Sequence, residues 1–230
     1  MSLKHFSILI LAGLASSPAF TAERTLSVTD FDRVSVVGEM RVVVSTSTAT
    51  SVRVSGDSHD LETITASVSG QTLRISSAHF GWGSSAKARG PLTVYVTTPR
   101  LRAATLSGSG ALVVAHMRAP RVDISLSGSG SLSVETIKAE TLEVRIAGSG
   151  RAVLSGQAAQ ASLNAQGNGQ LDAGALAVQD IKITAQGAST ISANASRSAL
   201  ADALGASSIT VGGKPACTVH NTGAGSVTCG

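Results

Sequence analysis

The sequence predicts an all-β protein wound as a parallel β-helix of coils about 18–20 residues long, turned at Gly-Ser-Gly corners. Three observations carry that expectation. A glycine phrase returns seven times, headed by Gly108, Gly128, Gly148, Gly167, Gly187, Gly205 and Gly223, at spacings of 20, 20, 19, 20, 18 and 18 residues. Aligned on those glycines, apolar and polar residues alternate with period two, the signature of a strand with one buried face. The chain also carries almost no aromatic residues, so its interior must be built from aliphatic side chains.

The inward rows are explicit. Two residues before each glycine stand Leu106, Leu126, Ile146, Ala165, Ala185, Ala203 and Asn221, and four before it Ala104, Ile124, Val144, Leu163, Ile183, Ala201 and Val219. Four and six residues after it come the rows that begin with Leu112 and Val114 and end with Val227 and Cys229. A coil of this size cannot bury its own apolar row, but stacked on a like coil at about 4.8 Å it can. The glycines suit a sharp corner because glycine alone reaches positive φ without a steric cost. A Gly/Ser linker would not hold the apolar rows in register through seven copies. A shorter third side follows each second strand, with Met117, Ile137 and Leu176 nine residues past their glycines.

Upstream of the repeats, residues 1–22 read as a secretory leader: Lys4, the apolar run from Phe6 to Ala15, and small-residue cleavage sites after Ala19 or Ala22. The run is too short to span a membrane, so the protein is expected to be exported, to the periplasm or to the cell exterior and surface. Residues 23–230 are expected to form one β-helix domain. Without Lys4, the 18 basic and 14 acidic residues become 17 and 14, a net +3. Such dispersed charge, without interleaved aromatics, gives no expectation of nucleic-acid binding. The aromatics past the leader are Phe31, Phe80, Trp82 and Tyr95.

Phe31, Val34, Val36, Gly38, Val42 and Val44 repeat the phrase in degenerate form, and Gly56, closing Val52-Arg53-Val54-Ser55-Gly56, falls 18 residues after Gly38. Asp57 to Leu61 reads as a polar connection with one helical turn opened by an Asp or Ser cap. Ala66, Val68, Gly70, Leu73 and Ile75 suggest a hairpin. Residues 78–90 form a Gly/Ser-rich loop with Phe80 and Trp82 beside His79, Lys87 and Arg89. Its rings either cover an open end of the helix or grip a sugar or partner. Ser84-x-x-Lys87 matches an acyl-transfer pattern but lacks the partner motifs that chemistry needs. Leu92, Val94 and Val96 then form a strand that Pro99 ends.

Cys217 and Cys229 lie six residues either side of Gly223, both at inward positions. An isolated pair in an exported chain is expected to form a disulfide, here one that staples the last coil. Two thiols on a metal is the other reading, and no histidine spacing supports it, so no metal site is expected.

The opening Phe31-x-x-Val34-x-Val36-x-Gly38, the segment Val52 to Asp57 and the run Pro99 to Gly110 followed by repeated GSG corners resemble the bacterial putative auto-transporter adhesin head family, also called the GIN domain. The resemblance covers about residues 28–212. It implies a right-handed β-helix similar in shape to pectate-lyase-like proteins and a role in adhesion. It carries over no catalytic residues. The later corners depart from GSG, reading Gly167-Asn168-Gly169, then Gly187-Ala188-Ser189 and Gly205-Ala206-Ser207.

Three functions follow as expectations. The first is a binding or adhesion module, not an enzyme, recognising a glycan or surface protein. Its contacts would come from the Phe80/Trp82 loop or from the corner serines Ser109, Ser129 and Ser149, where stacked backbone N–H groups and hydroxyls would form a polar ladder; the alternative for those serines is tight corner packing. The second is a polysaccharide lyase or hydrolase. Asp123 and Glu143 occupy one outward position in successive coils, with Arg145 diagonally adjacent and Lys182 two coils further on. So close a pair would either share a proton or hold Ca²⁺, or be neutralised by Arg145 as a surface network. The third is a structural envelope protein. Calcium nonapeptide and dinucleotide motifs are absent, and His59, His79, His116 and His220 form no H-E-x-x-H, so no cofactor is expected.

Overall fold

The period-two alternation becomes stacked strands in the computed structural model, which describes residues 22–77 and 92–230. The expected leader before Ala22 and the loop carrying Phe80 and Trp82 lie outside the described residues. Along the chain, the N-terminal section comprises β1 (Ala22–Leu26), β2 (Arg33–Val37), β3 (Arg41–Thr46), β4 (Ser51–Gly56), α1 (Ser58–Glu62), β5 (Ile64–Ser69), β6 (Thr72–Ser77) and β7 (Thr93–Thr98). The repeats supply β8 (Ala103–Gly108), β9 (Ala111–Arg118), β10 (Arg121–Gly128), β11 (Ser131–Gly148), β12 (Arg151–Gly167), β13 (Gln170–Gly187), β14 (Thr190–Gly205), β15 (Ser208–Gly212), β16 (Ala216–Thr222) and β17 (Ser226–Cys229). Each long strand from β11 to β14 carries the second side of one coil and the first side of the next.

The result is a β-solenoid of about six turns. One wall runs β5, β6, β2, β8, β10, the C-terminal halves of β11 to β14, then β16. The other runs β1, β4, β7, β3, β9, the N-terminal halves of β11 to β14, then β15 and β17. Register follows the glycine alignment residue for residue: Leu126 lies on Leu106 and Ile146 on Leu126, and Gly128 lies on Gly108 and Gly148 on Gly128. The inward rows are buried as far as Ala203 and Val211, as are Met117, Ile137 and Leu176 on the third side. Each fully buried Leu, Ile or Val contributes about 1.5–3 kcal/mol, so the interior column is the main source of stability.

The corner glycine is needed on two counts. Gly128 has φ +109°, and a Cβ there would lie 2.5 Å from the Gly108 carbonyl oxygen of the coil before. The left-handed backbone excludes other residues, and the close approach lets Ser129 N–H donate to Gly108 O at 3.1 Å, closing the corner ladder.

The degenerate copy around Gly38 is a true coil: β2 and β3 stack in parallel on β8 and β9, and Gly110 N–H donates to Gly38 O at 3.0 Å. The segment Val52 to Gly56 is not the next coil. As β4 it runs antiparallel to β7, and β1 runs antiparallel to β4. What stacks outside the Gly38 coil is β6 and β7, drawn from further along the chain. α1, whose Leu61 N–H donates to Asp57 O, carries the chain back, and the β5–β6 hairpin turns at Gly70 (φ +59°) as the alternation predicts. Thr98 seals this section: buried, it donates through its hydroxyl to Phe31 O at 2.7 Å.

At the far end, Cys217 and Cys229 are joined by a disulfide with their Cα atoms 6.6 Å apart. They register on the buried Ala199 and Val211, which confirms their inward positions. Cys217 and Val219 are nevertheless exposed, because among the described residues no coil stacks on the outer side of β16.

Candidate functional site

The outward positions of the first wall bring the sequence candidates together. Asp123 lies beside Glu143 in register, at one rung spacing of about 4.8 Å. Arg145 donates to Glu143, as one of the two readings held. The sequence reading missed Arg121, which bridges the pair: its Nε donates to Asp123 Oδ1 at 3.2 Å and its Nη2 to Glu143 Oε2. Asp123, first by hydrogen bond and then by charge, holds the Arg121 pKa above its ordinary value, with Glu143 adding to the effect. Each carboxylate therefore faces a guanidinium. The cluster is a surface ion-pair network, of the kind that contributes little to stability. Arg121 was legible in principle, since it stands two residues before Asp123 and so shares its outward face.

A second network sits two coils on. Asp180 accepts from Arg197 through both carboxylate oxygens and from the Ser198 hydroxyl at 2.7 Å. Arg197 and then Ser198 lower its pKa to about 2. Arg197 reaches it because the pairing of β13 with β14 shifts register between Val178 and Asp180. Between the two networks lies a shallow groove of about 310 Å³, lined by Gln160, Ser162, Asp180 and Lys182 among others. Lys182 falls in the same column as Glu143, two coils on, as expected, with Ser162 between them.

The serine corners need a correction. Ser109, Ser129 and Ser149 are exposed along one edge, but their coils do not present a row of free backbone N–H groups. The N–H groups of Ser129 and Gly130 donate to Gly108 O, Ser149 N–H to Gly128 O and Asn168 N–H to Gly148 O. Stacking consumes these donors because each corner approaches the one before it. What faces outward is hydroxyl, and Ser109 Oγ is itself held by Glu39 Oε1 at 3.0 Å.

The outer face of the second wall is of a different character. In register across it lie Arg53, Tyr95, Val43, Val113, Ser133 and Val153. Tyr95 is 47% exposed and Val153 37%. The neighbouring row carries Thr93, Arg41, Ala111, Ser131 and Arg151. Among the described residues, no group of three or more His, Cys, Asp or Glu side chains converges as a metal site, and no helix is long and apolar enough to cross a membrane.

Comparison with known proteins places this solenoid. The family described as "Putative auto-transporter adhesin, head GIN domain" matches residues 30–215. The chain belongs to this family. Among solved structures, a putative adhesin from Bacteroides fragilis superposes with a TM-score of 0.85 at 23% identity, covering 91% of this chain and 96% of that one. A putative lipid binding protein from Parabacteroides distasonis gives 0.73 at 20% identity, over 93% and 98% of the two chains. A putative adhesin from Parabacteroides merdae gives 0.70 at 17%, over 92% and 96%. At these identities the likeness is one of fold. No curated protein matches the chain in sequence. The GIN-domain match takes in the N-terminal section from β2 to β7 and the repeats as far as β15, leaving β1, β16 and β17 outside it.

Proposed function

We propose that this GIN-domain protein is an exported, non-catalytic binding module that recognises a cell-surface component, a glycan or a surface protein, through the outer walls of its solenoid. The observation that carries this reading is the fate of the polar groups. The backbone of the corners is committed to stacking, and the stacked Asp123/Glu143 pair is clamped by Arg121 and Arg145. The guanidiniums of Arg121 and Arg145 engage the carboxylate oxygens that sugar-cleaving chemistry would have to turn toward a substrate. What the walls offer outward is long, rigid, in-register rows of small polar and aliphatic side chains, a surface suited to docking. The adhesin names of the family and of its structural relatives support the same reading. The leader and the terminal disulfide support export to an oxidising compartment.

The test is to pass the mature protein over a panel of immobilised polysaccharides, glycans and surface proteins, recording retention and the size of anything released. Retention without cleavage, undiminished in Asp123→Ala and Glu143→Ala, is the expected result. Shorter products that vanish in those two variants would make the protein a polysaccharide-cleaving enzyme and end the proposal.

A further inference from the structure

We infer that the outer face of the second wall, around Tyr95, Arg41 and Arg151, docks a linear acidic polysaccharide, one bearing carboxylate or sulfate groups. The inference rests on the binding-module reading and specifies its surface and ligand class.

The first argument is a difference in how the arginines are used. On the first wall, Arg102 holds Asp32 at 2.6 Å, Arg121 and Arg145 hold the Asp123/Glu143 pair and Arg197 holds Asp180, leaving Arg74, on β6 at the N-terminal end, without a carboxylate partner among the described residues. On the second wall, Arg41 and Arg151 have no carboxylate partner among the described residues, and Arg53 reaches Glu23 only at 3.9 Å with both side chains more than half exposed. Arg41 and Arg151 stand in one row, three rungs apart, about 14 Å. The acids near this face stand at its margins: Glu23 and Asp172 at its two ends, Glu39 at the corner, and Glu135 two residues past Ser133 at the edge opposite Arg41 and Arg151. Asp172 accepts from Gly174 N–H and Glu39 from Ser109. Unpaired guanidiniums over an acid-poor centre call for an anionic partner, and the planar fork of arginine suits carboxylate and sulfate oxygens.

The second argument is the row between those cations. Tyr95, Val43, Val113, Ser133 and Val153 run straight along the solenoid for four rungs, about 19 Å. The interior strands here are paired on both edges, so the wall has no backbone to lend a partner strand and must bind through side chains. A half-exposed tyrosine ring and flush valines can pack against the C–H face of a sugar ring. Thr93, Ser131 and Ser133 supply hydroxyls on the same face, and the flanking arginines take the acid groups. A bilayer would ask instead for long apolar side chains standing out from the surface, and this strip has none.

The experiment measures binding of the mature protein to polygalacturonate and dextran sulfate, with uncharged dextran and phosphatidylserine vesicles as separate arms. Circular dichroism confirms that each variant folds. The expected result is binding to the acidic polymers, weakened about tenfold or more by Arg41→Gln with Arg151→Gln and severalfold by Tyr95→Ala. Arg118→Gln with Lys138→Gln removes the same charge from exposed cations off this face and is expected to change affinity less than about twofold. Arg41→Lys with Arg151→Lys retains charge without the fork and is expected to fall between. Equal losses from the two double Gln variants would reduce the effect to net charge and overturn the inference. So would preference for the vesicles. Binding to uncharged dextran, or retention on the glycan and surface-protein panel above, without binding to the acidic polymers would overturn the inference and leave the binding-module reading standing, whereas silence on these probes and on that panel would sink both.

Discussion

The early and late coils solve one packing problem in two ways. In the coils headed by Gly108, Gly128 and Gly148, the interior position before the corner holds Leu106, Leu126 and Ile146, and the second corner residue of the next coil is glycine. A Cβ at Gly150 would lie 2.8 Å from both Leu126 Cδ2 and the Gly130 carbonyl oxygen, and one at Gly169 2.8 Å from Ile146 Cγ2, where the backbone has drawn back. In the late coils the interior position shrinks to Ala165 and Ala185, and the residue one coil on becomes Ser189 and Ser207, both buried. Ser207 Oγ donates to Ala185 O at 3.4 Å, so the hydroxyl occupies space a larger side chain would fill and finds an acceptor there. The loss of GSG along the sequence is therefore a matched exchange of volume between one coil and the next, since interiors are close-packed and a methyl group is felt. The first corner glycine takes no part in the exchange: it is kept from Gly108 to Gly223 because its constraint is backbone against backbone.

The largest expected effect tests that separation. Gly128→Ala places a methyl 2.5 Å from Gly108 O at a φ of +109°, and is expected to cost about 3 kcal/mol or more in urea unfolding. Gly205→Ala, with 2.9 Å to Gly187 O and a φ of +87°, is expected to cost less but still to destabilise. Were Gly205→Ala tolerated without loss, the late corners would have relaxed in backbone as well as in volume.

A double-mutant cycle at the transition between the halves tests the exchange itself. Gly169→Ala meets only Ile146 closely, the nearest backbone oxygen being 3.4 Å away. Alone it is expected to cost about 1–3 kcal/mol by overpacking, and Ile146→Ala alone about 2–5 kcal/mol. Together they recreate the late-coil arrangement, and the double variant is expected to be no less stable than Ile146→Ala, a coupling of about 1–3 kcal/mol. Simple additivity would break the comparison.

The smallest effect concerns charge in the late half. Asp180 is held at a pKa of about 2 by Arg197 and Ser198, below the ordinary value for aspartate. A depressed carboxylate adds stability that is present above the unfolded-state pKa and is lost as pH falls through the folded one. Acid titration of stability from about pH 4 down to about 2 is thus expected to be slightly shallower in Asp180→Asn than in the parent. The exposure of the pair keeps the difference small, and identical titrations would show that it adds nothing.

Most of the solenoid was legible because its information is local: the inward rows, the corners and the Gly38 coil follow from period two and glycine spacing. The β5–β6 hairpin and the single helical turn were legible for the same reason. Partner choice was not. Nothing in the alternation of Val52 and Val54 says that β4 should run antiparallel to β7, or that β6 and β7 should lie outside β2 and β3. In the candidate cluster, the Asp123/Glu143 column was legible, but the bridge made by Arg121 was not, because Arg121 stands in the neighbouring outward row and reaches the pair across it. Arg197 reaches Asp180 through a register shift that no fixed period encodes. The expectation of free N–H groups at the serine corners failed because it treated each corner alone, whereas the donors are spent on the corner before it.

The placement of β2 and β3 has a consequence for the order of events during synthesis. Val34 pairs with Leu73 on one edge and Ala104 on the other, and Val42 with Val94 and Leu112. These strands are among the first made, yet their neighbours are made about 40 to 70 residues later. They must wait, extended and apolar, until both flanks have arrived, and loop closures of that length are slow steps. Each repeat after Ala103, by contrast, finds its template already in place and can add one coil at a time. Nucleation at the head and templated growth toward the tail thus give the molecule a kinetic polarity, with its slowest step built into its first strands.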